Sequence, residues 1–257
     1  MVSYTRDYGS KGRVGIAVPQ ANPTVEPEIG LLLPQQTTLL TSRLTSARAQ
    51  PEDRWREYFD GLENTLATYD TLRLDVCGVA ITAATYLVGR DAEDAKLKRI
   101  SDLKGYPVIS AGLAIEQALH TIGVKKLAIG APYPEWSVNM SRDYWISRGF
   151  NVVSTTRIAI ASDDTRSIYE LSAQDALTTL ENVDFSEADA ILLTGTGMPS
   201  FAAVIALMEC TGKPVVSSNI CLAWAMRLAI DLPDDGIPGS APHHPLLNGW
   251  QSRIGEL

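Results

Sequence analysis

The sequence predicts an α/β fold with two pseudo-symmetric lobes, each a short parallel sheet flanked by helices, and an active site in the cleft between them. Four short apolar segments carry this prediction, and each stops abruptly in a turn of small, polar, Gly or Pro residues. With their turns they span residues 14–26, 75–86, 127–133 and 190–197. Short continuous apolar runs are typical of strands buried on both faces of a parallel sheet. Because α/β proteins bind ligands beyond the carboxyl ends of such strands, the four turns are the expected site.

Eight strand-like apolar runs alternate with helix-like segments along the chain. The runs begin near Val14, Thr38, Val76, Pro107, Lys126, Asn151, Ala190 and Pro214. Apolar residues at spacings of three and four, and the glycines that end several of these segments, predict helices. The predicted helices span 54–72, 110–122, 136–148, 167–183 and 200–211. This alternation predicts βαβ units with right-handed crossovers.

The order of the turns is repeated in the two halves of the chain. Each half has a first strand that ends in a Pro-containing polar turn and a later strand that ends in a Thr-rich turn. We therefore predict an N-terminal lobe over 13–123, to which the chain returns near 215–230, and a C-terminal lobe over 124–230. Residues 231–257, rich in Pro, Gly and Asp, are predicted to wrap a lobe or a neighbouring subunit.

Composition argues against several classes of function. The chain has 257 residues, of which 45% are hydrophobic and 20% charged, as is ordinary for a globular enzyme. A net charge of −8 offers no basic face to nucleic acid or to an anionic membrane. No apolar run approaches the roughly 20 residues that a membrane span needs, and residues 1–12 lack the apolar core of a signal peptide.

Cysteine and histidine usage predicts a cytoplasmic protein without a metal site. Cys77, Cys210 and Cys221 show no disulfide or zinc spacing, so reduced thiols are expected. His243 and His244 lie side by side in the Pro/Gly-rich tail, where metal ligands are not expected.

Three motifs resemble those of a known family. Residues 19–26 read Pro-Gln-Ala-Asn-Pro-Thr-Val-Glu, residues 131–133 read Ala-Pro-Tyr, and residues 212–224 read Gly-Lys-Pro-Val-Val-Ser-Ser-Asn-Ile-Cys-Leu-Ala-Trp. In this order they resemble the aspartate/glutamate racemase superfamily, in the branch that holds maleate cis–trans isomerase and arylmalonate decarboxylase. The first is similar to the Pro-Ser-Ser-Asn-Thr-x-x-Glu turn of maleate isomerases, and the second to a turn that supplies a substrate-facing tyrosine. The resemblance covers about residues 13–230 and implies catalysis without a cofactor on a small carboxylic acid, by a homo-oligomer.

The chain departs from that family at two positions. Family members carry two cysteines, one on each lobe, that flank the substrate carbon and act as acid, base or nucleophile. The corresponding positions here fall on Ile81 and Gly195. A thiolate is both a good nucleophile and a tunable base, so neither two-cysteine racemisation nor isomerisation through a cysteine adduct is expected.

Small polar turns are the predicted substrate-binding elements, because their N–H and hydroxyl donors hold a carboxylate and stabilise an enolate or oxyanion. An Asn-Pro turn, a β-branched strand end or a short loop before a helix would explain the same residues without a function. The loop before the helix is also an anion cradle. The binding residues predicted from these turns are Asn22, Thr24, Thr82, Thr85, Thr194, Gly195, Thr196 and Gly197.

Four further residues have two interpretations each. Tyr133 is predicted to be catalytic, as a donor to an enolate oxygen, or else packs in the core. Glu26 is predicted to be an acid or base, or else is the first-turn carboxylate of the next helix. Arg43 pairs with a second substrate carboxylate or with a surface acid. Asp164, where maleate isomerases carry an asparagine turn, binds an amine, amide or ureido N–H or else caps the following helix.

These residues leave three functions open. The first is an isomerase or decarboxylase that acts on a small carboxylic acid through an enolate or oxyanion. The second is a hydrolase or lyase of a cyclic or nitrogen-containing acid, motivated by Asp164 and by the absent thiols. The third is a small-acid binding protein that retains the pocket without catalysis.

Overall fold

The fold consists of two four-stranded sheets in which every strand pair is parallel. The first sheet, of order β2-β1-β3-β4, contains β1 (Gly12–Pro19), β2 (Thr37–Leu44), β3 (Val76–Val79) and β4 (Val108–Ser110). The second sheet, of order β6-β5-β7-β8, contains β5 (Lys126–Ala131), β6 (Asn151–Arg157), β7 (Ala190–Leu193) and β8 (Val215–Ser217). The two-lobed α/β fold predicted from the sequence is confirmed.

Helices flank both sheets. They are α1 (Val25–Leu32), α2 (Pro51–Asp60), α3 (Leu62–Ala67), α4 (Thr82–Val88), α5 (Arg90–Lys104), α6 (Ala111–Thr121), α7 (Glu135–Ser147), a 3-10 helix (Thr165–Glu170), α8 (Ala173–Leu180), α9 (Phe201–Thr211) and α10 (Ser218–Ala229). The computed structural model describes residues 6–232 and Leu246. The rest of the predicted tail, with His243 and His244, lies outside the described residues. Within the described part of the chain, no helix has the length and apolarity needed to cross a membrane.

The helices differ from the sequence prediction in three places. The segment predicted as one helix over 54–72 is two helices that meet at Gly61, where a Cβ atom would lie 3.0 Å from the carbonyl oxygen of Glu57. The segment over 167–183 is also divided, because Ser172 and Asp175 form a reciprocal capping box that starts α8. Helices α4 and α5 fill residues 82–104, where no helix was predicted.

Gly78, in the first sheet, lies where a side chain of helix α10 approaches the backbone closely. A Cβ atom at Gly78 of β3 would lie 2.6 Å from Sδ of Met226 in α10. Helix α10 therefore packs on the first sheet, although it follows the last strand of the second. The lobe limits proposed from the sequence, including the return of the chain near 215–230, stay a prediction.

A buried ion-pair cluster joins helices that follow strands of both sheets. The side chains of Glu93 in α5 and Arg148 after α7 are 0% and 1% exposed, and Arg148 Nη2 donates to Glu93 Oε2 at 2.6 Å. Arg148 also donates to Asp94 at 2.8 Å and to Glu116 at 3.0 Å, and Tyr144 donates to Glu93 at 2.5 Å. Removing one member of such a pair leaves its partner charged and unpaired in the interior.

Replacing Arg148 by Met is therefore expected to destabilise the protein by about 3–5 kcal/mol, because Glu93 would lose its buried counter-charge. Urea unfolding of the wild type and the variant measures the change. Arg99→Met is the matched control: Arg99 pairs with Glu63 at 2.6 Å on the surface, and exposed pairs contribute little. Equal losses in the two variants would contradict this account of the buried pair.

Candidate active site

A small cavity lies where turns of the two sheets meet. One wall consists of the turns that follow β1, β3, β5 and β7, and the other of α2 and the 3-10 helix. Its volume is about 40 Å³, and roughly 10–15 Å³ of such volume accommodates one water molecule. The predicted site residues in its lining are Asn22, Thr82, Tyr133, Gly195, Thr196 and Gly197.

The turn after β1 places Asn22 in the cavity and also uses it to start α1. Asn22 is 2% exposed, and its Oδ1 accepts from the backbone N–H groups of Thr24 at 2.9 Å and Val25 at 3.3 Å. Its Nδ2 donates to Oγ1 of Thr196 at 3.4 Å. Since an amide nitrogen carries two N–H groups, one of them is left to meet a ligand. The turn-forming and the ligand-facing interpretations of Asn22 are thus compatible.

The turn after β7 depends on a left-handed glycine. Gly195 has φ of +93°, and a Cβ atom there would lie 3.1 Å from both Pro132 Cγ and Tyr133 Oη. Any side chain at this position would be strained by the backbone and crowded by the tyrosine. The second of the two positions where the resembling family carries a thiol is therefore shaped here for a residue without a side chain.

The turn after β3 supplies one hydroxyl and one apolar side chain. Thr82 is fully buried, lines the cavity and donates through Oγ1 to Ser218 Oγ at 3.1 Å. Ile81, the other thiol position, also lines the cavity. Among the residues that the structure describes in this lining, none is a cysteine.

Tyr133, in the turn after β5, is buried to 3% exposure between aromatic rings. The ring centroids of Trp55 and Tyr86 each lie 6.2 Å from that of Tyr133, in edge-to-face geometry. Burial raises the pKa of Tyr133 far above its usual range. The phenol is therefore neutral at physiological pH, a form that has a proton to donate to a hydrogen bond.

Six other predicted residues lie outside the lining, so their contact with a substrate stays a prediction. They are Thr24, Glu26, Arg43, Thr85, Asp164 and Thr194. Glu26 accepts from Arg43 Nη2 at 2.5 Å, and their side chains are 30% and 41% exposed. Thr24 Oγ1 donates to the carbonyl of Gly197 at 2.7 Å, and Thr85 Oγ1 to that of Thr82 at 2.7 Å.

Asp164 occupies the helix-capping position that was its second interpretation. It accepts from the backbone N–H of Arg166 at 3.0 Å and starts the 3-10 helix. Side-chain hydrogen bonds from Arg166 are the main cause that lowers the pKa of Asp164 to about 2. Asp164 also pairs with Arg54 at 3.0 Å, so its negative charge is already compensated by two guanidinium groups.

The second wall of the cavity was not predicted. Its residues are Arg54, Trp55, Tyr58, Thr165, Ile168 and Tyr169. Arg54 is 2% exposed and donates through Nη1 to two backbone carbonyls and through Nη2 to Asp164 and Thr165. Its terminal N–H groups are thus engaged within the protein. The sequence contains one sign of this second wall: an arginine, Arg54, lies one turn before Tyr58 among the apolar residues of the predicted helix.

Another residue that was not predicted, Glu28, lies behind the cavity lining and hydrogen-bonds to it through Asn219. Its carboxylate accepts from the Ser200 backbone N–H at 2.7 Å and from Asn219 Nδ2 at 2.7 Å. Asn219 Nδ2 also donates to the carbonyl of Thr196 at 3.2 Å, which connects Glu28 to the cavity lining. Burial raises the pKa of Glu28 to about 7, although hydrogen bonds from Ser200 and Asn219 oppose the rise.

The described residues contain no group of three or more His, Cys, Asp or Glu side chains placed to hold a metal ion. What the lining offers a ligand is hydroxyl, amide and backbone donors on one wall and aromatic rings on the other.

Comparisons with known proteins agree on one family. A family model described as arylmalonate decarboxylase matches residues 14–239. Maleate isomerase of Geobacillus stearothermophilus is 27% identical over 237 residues, which are 86% of this chain and 92% of that protein. Maleate isomerase of Pseudomonas putida is 27% identical over 250 residues, which are 92% of this chain and 97% of that protein.

Two solved structures share the fold. The maleate isomerase Iso of Pseudomonas putida S16 superposes with a TM-score of 0.82 and 25% identity, covering 93% of this chain and 99% of that one. A crystal structure of arylmalonate decarboxylase superposes with a TM-score of 0.70 and 15% identity, covering 91% and 96%. The second likeness is one of fold alone.

Glu28→Gln is expected to change how stability depends on pH. Because the pKa of Glu28 is raised from 4.5 to about 7, the folded state binds the proton more tightly than the unfolded state. The stability that Glu28 contributes is fully present below pH 4.5 and is lost as the pH rises through about 7, by about 3 kcal/mol. Urea unfolding across this range should show the variant gaining stability relative to the wild type as the pH rises. Parallel pH profiles would contradict the raised pKa.

Proposed function

This chain belongs to the arylmalonate decarboxylase family, and on that premise we propose that it is a cofactor-independent decarboxylase of a small carboxylic acid. Membership confirms the resemblance that the turn motifs indicated. In the proposed reaction one carboxylate of a malonate-type acid is held by the turns while the other leaves as CO₂. The electron pair of the broken C–C bond is delocalised onto the retained carboxylate as an enediolate, and a proton then adds to the carbon.

The observation that carries this proposal is the chemistry of the cavity lining. Among its described residues there is no cysteine, histidine, aspartate or glutamate. Racemisation needs a base at the α-carbon, and isomerisation through an adduct needs a nucleophile. Decarboxylation needs neither, because CO₂ leaves without the electron pair of the broken C–C bond, and that pair passes into the enediolate. Of the reactions implied by the family, decarboxylation is therefore the one that this lining supports best.

The donors of the first wall fit an enediolate. Asn22, Tyr133 and residues 195–197 line the cavity, and the donors proposed to meet the enediolate are the Asn22 amide, the Tyr133 hydroxyl and the backbone N–H groups of the 195–197 loop. Donors placed where negative charge develops stabilise a transition state most in a site that excludes water. Because its pKa is raised, Tyr133 is suited to donating a hydrogen bond to the oxyanion, with the carbon protonated by a water molecule.

The second wall would receive the remainder of the substrate. The rings of Trp55, Tyr58 and Tyr169 are apolar surfaces, and the terminal N–H groups of Arg54 are engaged within the protein. We expect an apolar or ring-shaped substituent to lie here. The hydrolase alternative gains no support from the geometry, because Asp164 is paired with Arg54 and Arg166. Assembly into a homo-oligomer and a cytoplasmic location stay predictions.

Proton NMR in deuterated water tests the reaction class. Substituted malonic acids, maleate, α-amino acids, ureido acids and lactams are incubated with the protein. We expect CO₂ release from a malonic acid with one deuterium added at the α-carbon, and a loss of roughly 10²–10³-fold in kcat for Tyr133→Phe, since an oxyanion donor is removed. Isomerisation of maleate or ring opening of a lactam would contradict the proposal. Thermal stabilisation by one acid without turnover would favour the binding-protein alternative.

Thiol alkylation tests whether the reaction uses a cysteine. Cys77 and Cys221 are buried whereas Cys210 is exposed. Burial raises the pKa of Cys77 to about 12 and that of Cys221 further above its usual range, so neither is expected to react. Iodoacetamide should modify Cys210, as detected by mass spectrometry, and should leave turnover unchanged. The Cys210→Ser variant should not be modified. Inactivation that follows modification of Cys77 or Cys221 would overturn the thiol-free reaction.

A further inference from the structure

We propose that Glu28 is a positioning residue, which through Asn219 turns the backbone N–H of Gly197 towards the cavity. The group on which it acts is the peptide unit between Thr196 and Gly197. The effect on turnover rests on the proposed function, in which the N–H groups of the 195–197 loop meet the enediolate. The contacts between Glu28 and the loop are a property of the protein without substrate.

Asn219 connects Glu28 to this peptide unit through one nitrogen. Its Nδ2 donates to Glu28 Oε2 at 2.7 Å and to the carbonyl oxygen of Thr196 at 3.2 Å. Among the described residues, no other donor reaches that carbonyl. Asn219 is 1% exposed, and its own Oδ1 has no hydrogen-bond partner in the described part of the chain. Because an unpaired buried oxygen lowers stability, the orientation of this amide is set by the two acceptors that its nitrogen serves.

The geometry of a peptide group then determines where the Gly197 N–H points. The described chain has no cis peptide bond, and in a trans peptide the C=O and the N–H lie in one plane and point in opposite directions. The Thr196 carbonyl points towards Asn219, which is not part of the cavity lining. The Gly197 N–H therefore points to the other side, where residue 197 lines the cavity. Among the described residues this N–H has no acceptor, so it is left to meet a ligand.

The same carboxylate holds the far end of the loop. Glu28 Oε1 accepts from the backbone N–H of Ser200 at 2.7 Å, where α9 begins. A carboxylate accepts on both oxygens and donates on neither, so it suits a position on α1 that faces donors from both α9 and α10. Thr196 and Ser200 are thereby fixed to one buried side chain, and the backbone between them has little freedom to turn.

Glu28→Gln tests this role because it keeps the shape of the side chain and changes one acceptor into a donor. The new amide oxygen has to face the backbone N–H of Ser200, so the new amide nitrogen faces Asn219. Two N–H donors then meet, and the Asn219 amide rotates to present its unpaired Oδ1 instead. This rotation takes Nδ2 away from the Thr196 carbonyl, and the peptide group is no longer held.

The first readout is the NMR cross-peak that joins the Thr196 carbonyl carbon to the Gly197 N–H. It is recorded without substrate at roughly pH 8.5, where Glu28 with its pKa of about 7 is ionised. Protein that carries ¹³C-carbonyl threonine and ¹⁵N-glycine shows such a peak only for Thr-Gly pairs. The chain has three of them, at 194–195, 196–197 and 211–212. Serine in place of the first or the last threonine removes one peak each and so assigns all three.

We expect the 196–197 peak to move in Glu28→Gln and in Asn219→Ala, which removes the middle member of the path. The 211–212 peak, at the far end of α9, is expected to stay in place in both variants. Glu63→Gln is the matched control, because it makes the same change at an ion pair on the surface. No peak is expected to move in that control.

The second readout is turnover, on an acid that the wild type decarboxylates. We expect kcat to fall about tenfold in Glu28→Gln, less than for the removal of an oxyanion donor, because the Gly197 N–H is misdirected rather than lost. KM is expected to stay within about threefold, since the loss falls mainly on the transition state. Glu63→Gln should leave both constants unchanged. Should Glu28→Gln fail to fold, Asn219→Ala interrupts the same path and is expected to give the same two results.

The two readouts separate this inference from the proposed function. An unchanged 196–197 peak in folded Glu28→Gln would overturn the inference, whatever the activity. A shifted peak in a protein that turns over no acid would sustain the path from Glu28 to the loop and overturn the decarboxylase proposal. A shifted peak with unchanged kcat would show that the reaction does not need this N–H, and would overturn the role proposed for Glu28.

Discussion

The hydroxyl of Thr196 joins three turns, and the arrangement of the site depends on it. Thr196 lies after β7 of the second sheet, donates to the carbonyl of Ala80 after β3 at 2.8 Å, and accepts from Asn22 after β1 at 3.4 Å. At the carboxyl ends of the strands of a parallel sheet, backbone N–H and C=O groups extend beyond the hydrogen bonds between strands. Where such a group is buried between two lobes, it needs another hydrogen-bond partner. By meeting this need across the cleft, Thr196 brings the donors of both sheets to one cavity.

The described lining of this cavity contains one charged side chain, that of Arg54. Arg54 is compensated by Asp164, and Arg148 by Glu93 and its acidic neighbours. Glu28 is placed among donors, yet its burial still raises its pKa. Because the terminal N–H groups of Arg54 are engaged with Asp164, Thr165 and backbone carbonyls, the donors that the lining offers to a ligand are neutral. Such a lining suits a transient anion, whose charge is then stabilised by dipoles rather than by a permanent counter-ion.

The cavity lining, as the structure describes it, contains no thiol, and at residue 195 the local backbone and the neighbouring Tyr133 also disfavour one sterically. The left-handed backbone of Gly195 disfavours any side chain at residue 195, and a Cβ atom there would lie 3.1 Å from the Tyr133 hydroxyl, closer than an ordinary van der Waals contact. Ile81 closes the opposite position with an apolar group. A cysteine at residue 195 would therefore carry backbone strain and crowd the Tyr133 hydroxyl. Tyr133 fills the space beside Gly195 and contributes the donor that faces the substrate.

The sequence by itself determined the two sheets and the edge at which the cavity lies, because strand ends are local features: apolar runs that stop at Asn22, Thr82, Tyr133 and Gly195 mark them. Tertiary structure decided which residues share the cavity. The stripe that contains Trp55 predicts an apolar helix face but not what that face covers, since the same pattern serves a core or a pocket wall. The raised pKa of Glu28 and the contact of Tyr86 with Thr194 likewise depend on elements more than 100 residues apart. Burial and long-range hydrogen bonds exist only once the lobes have packed, and no local pattern specifies them.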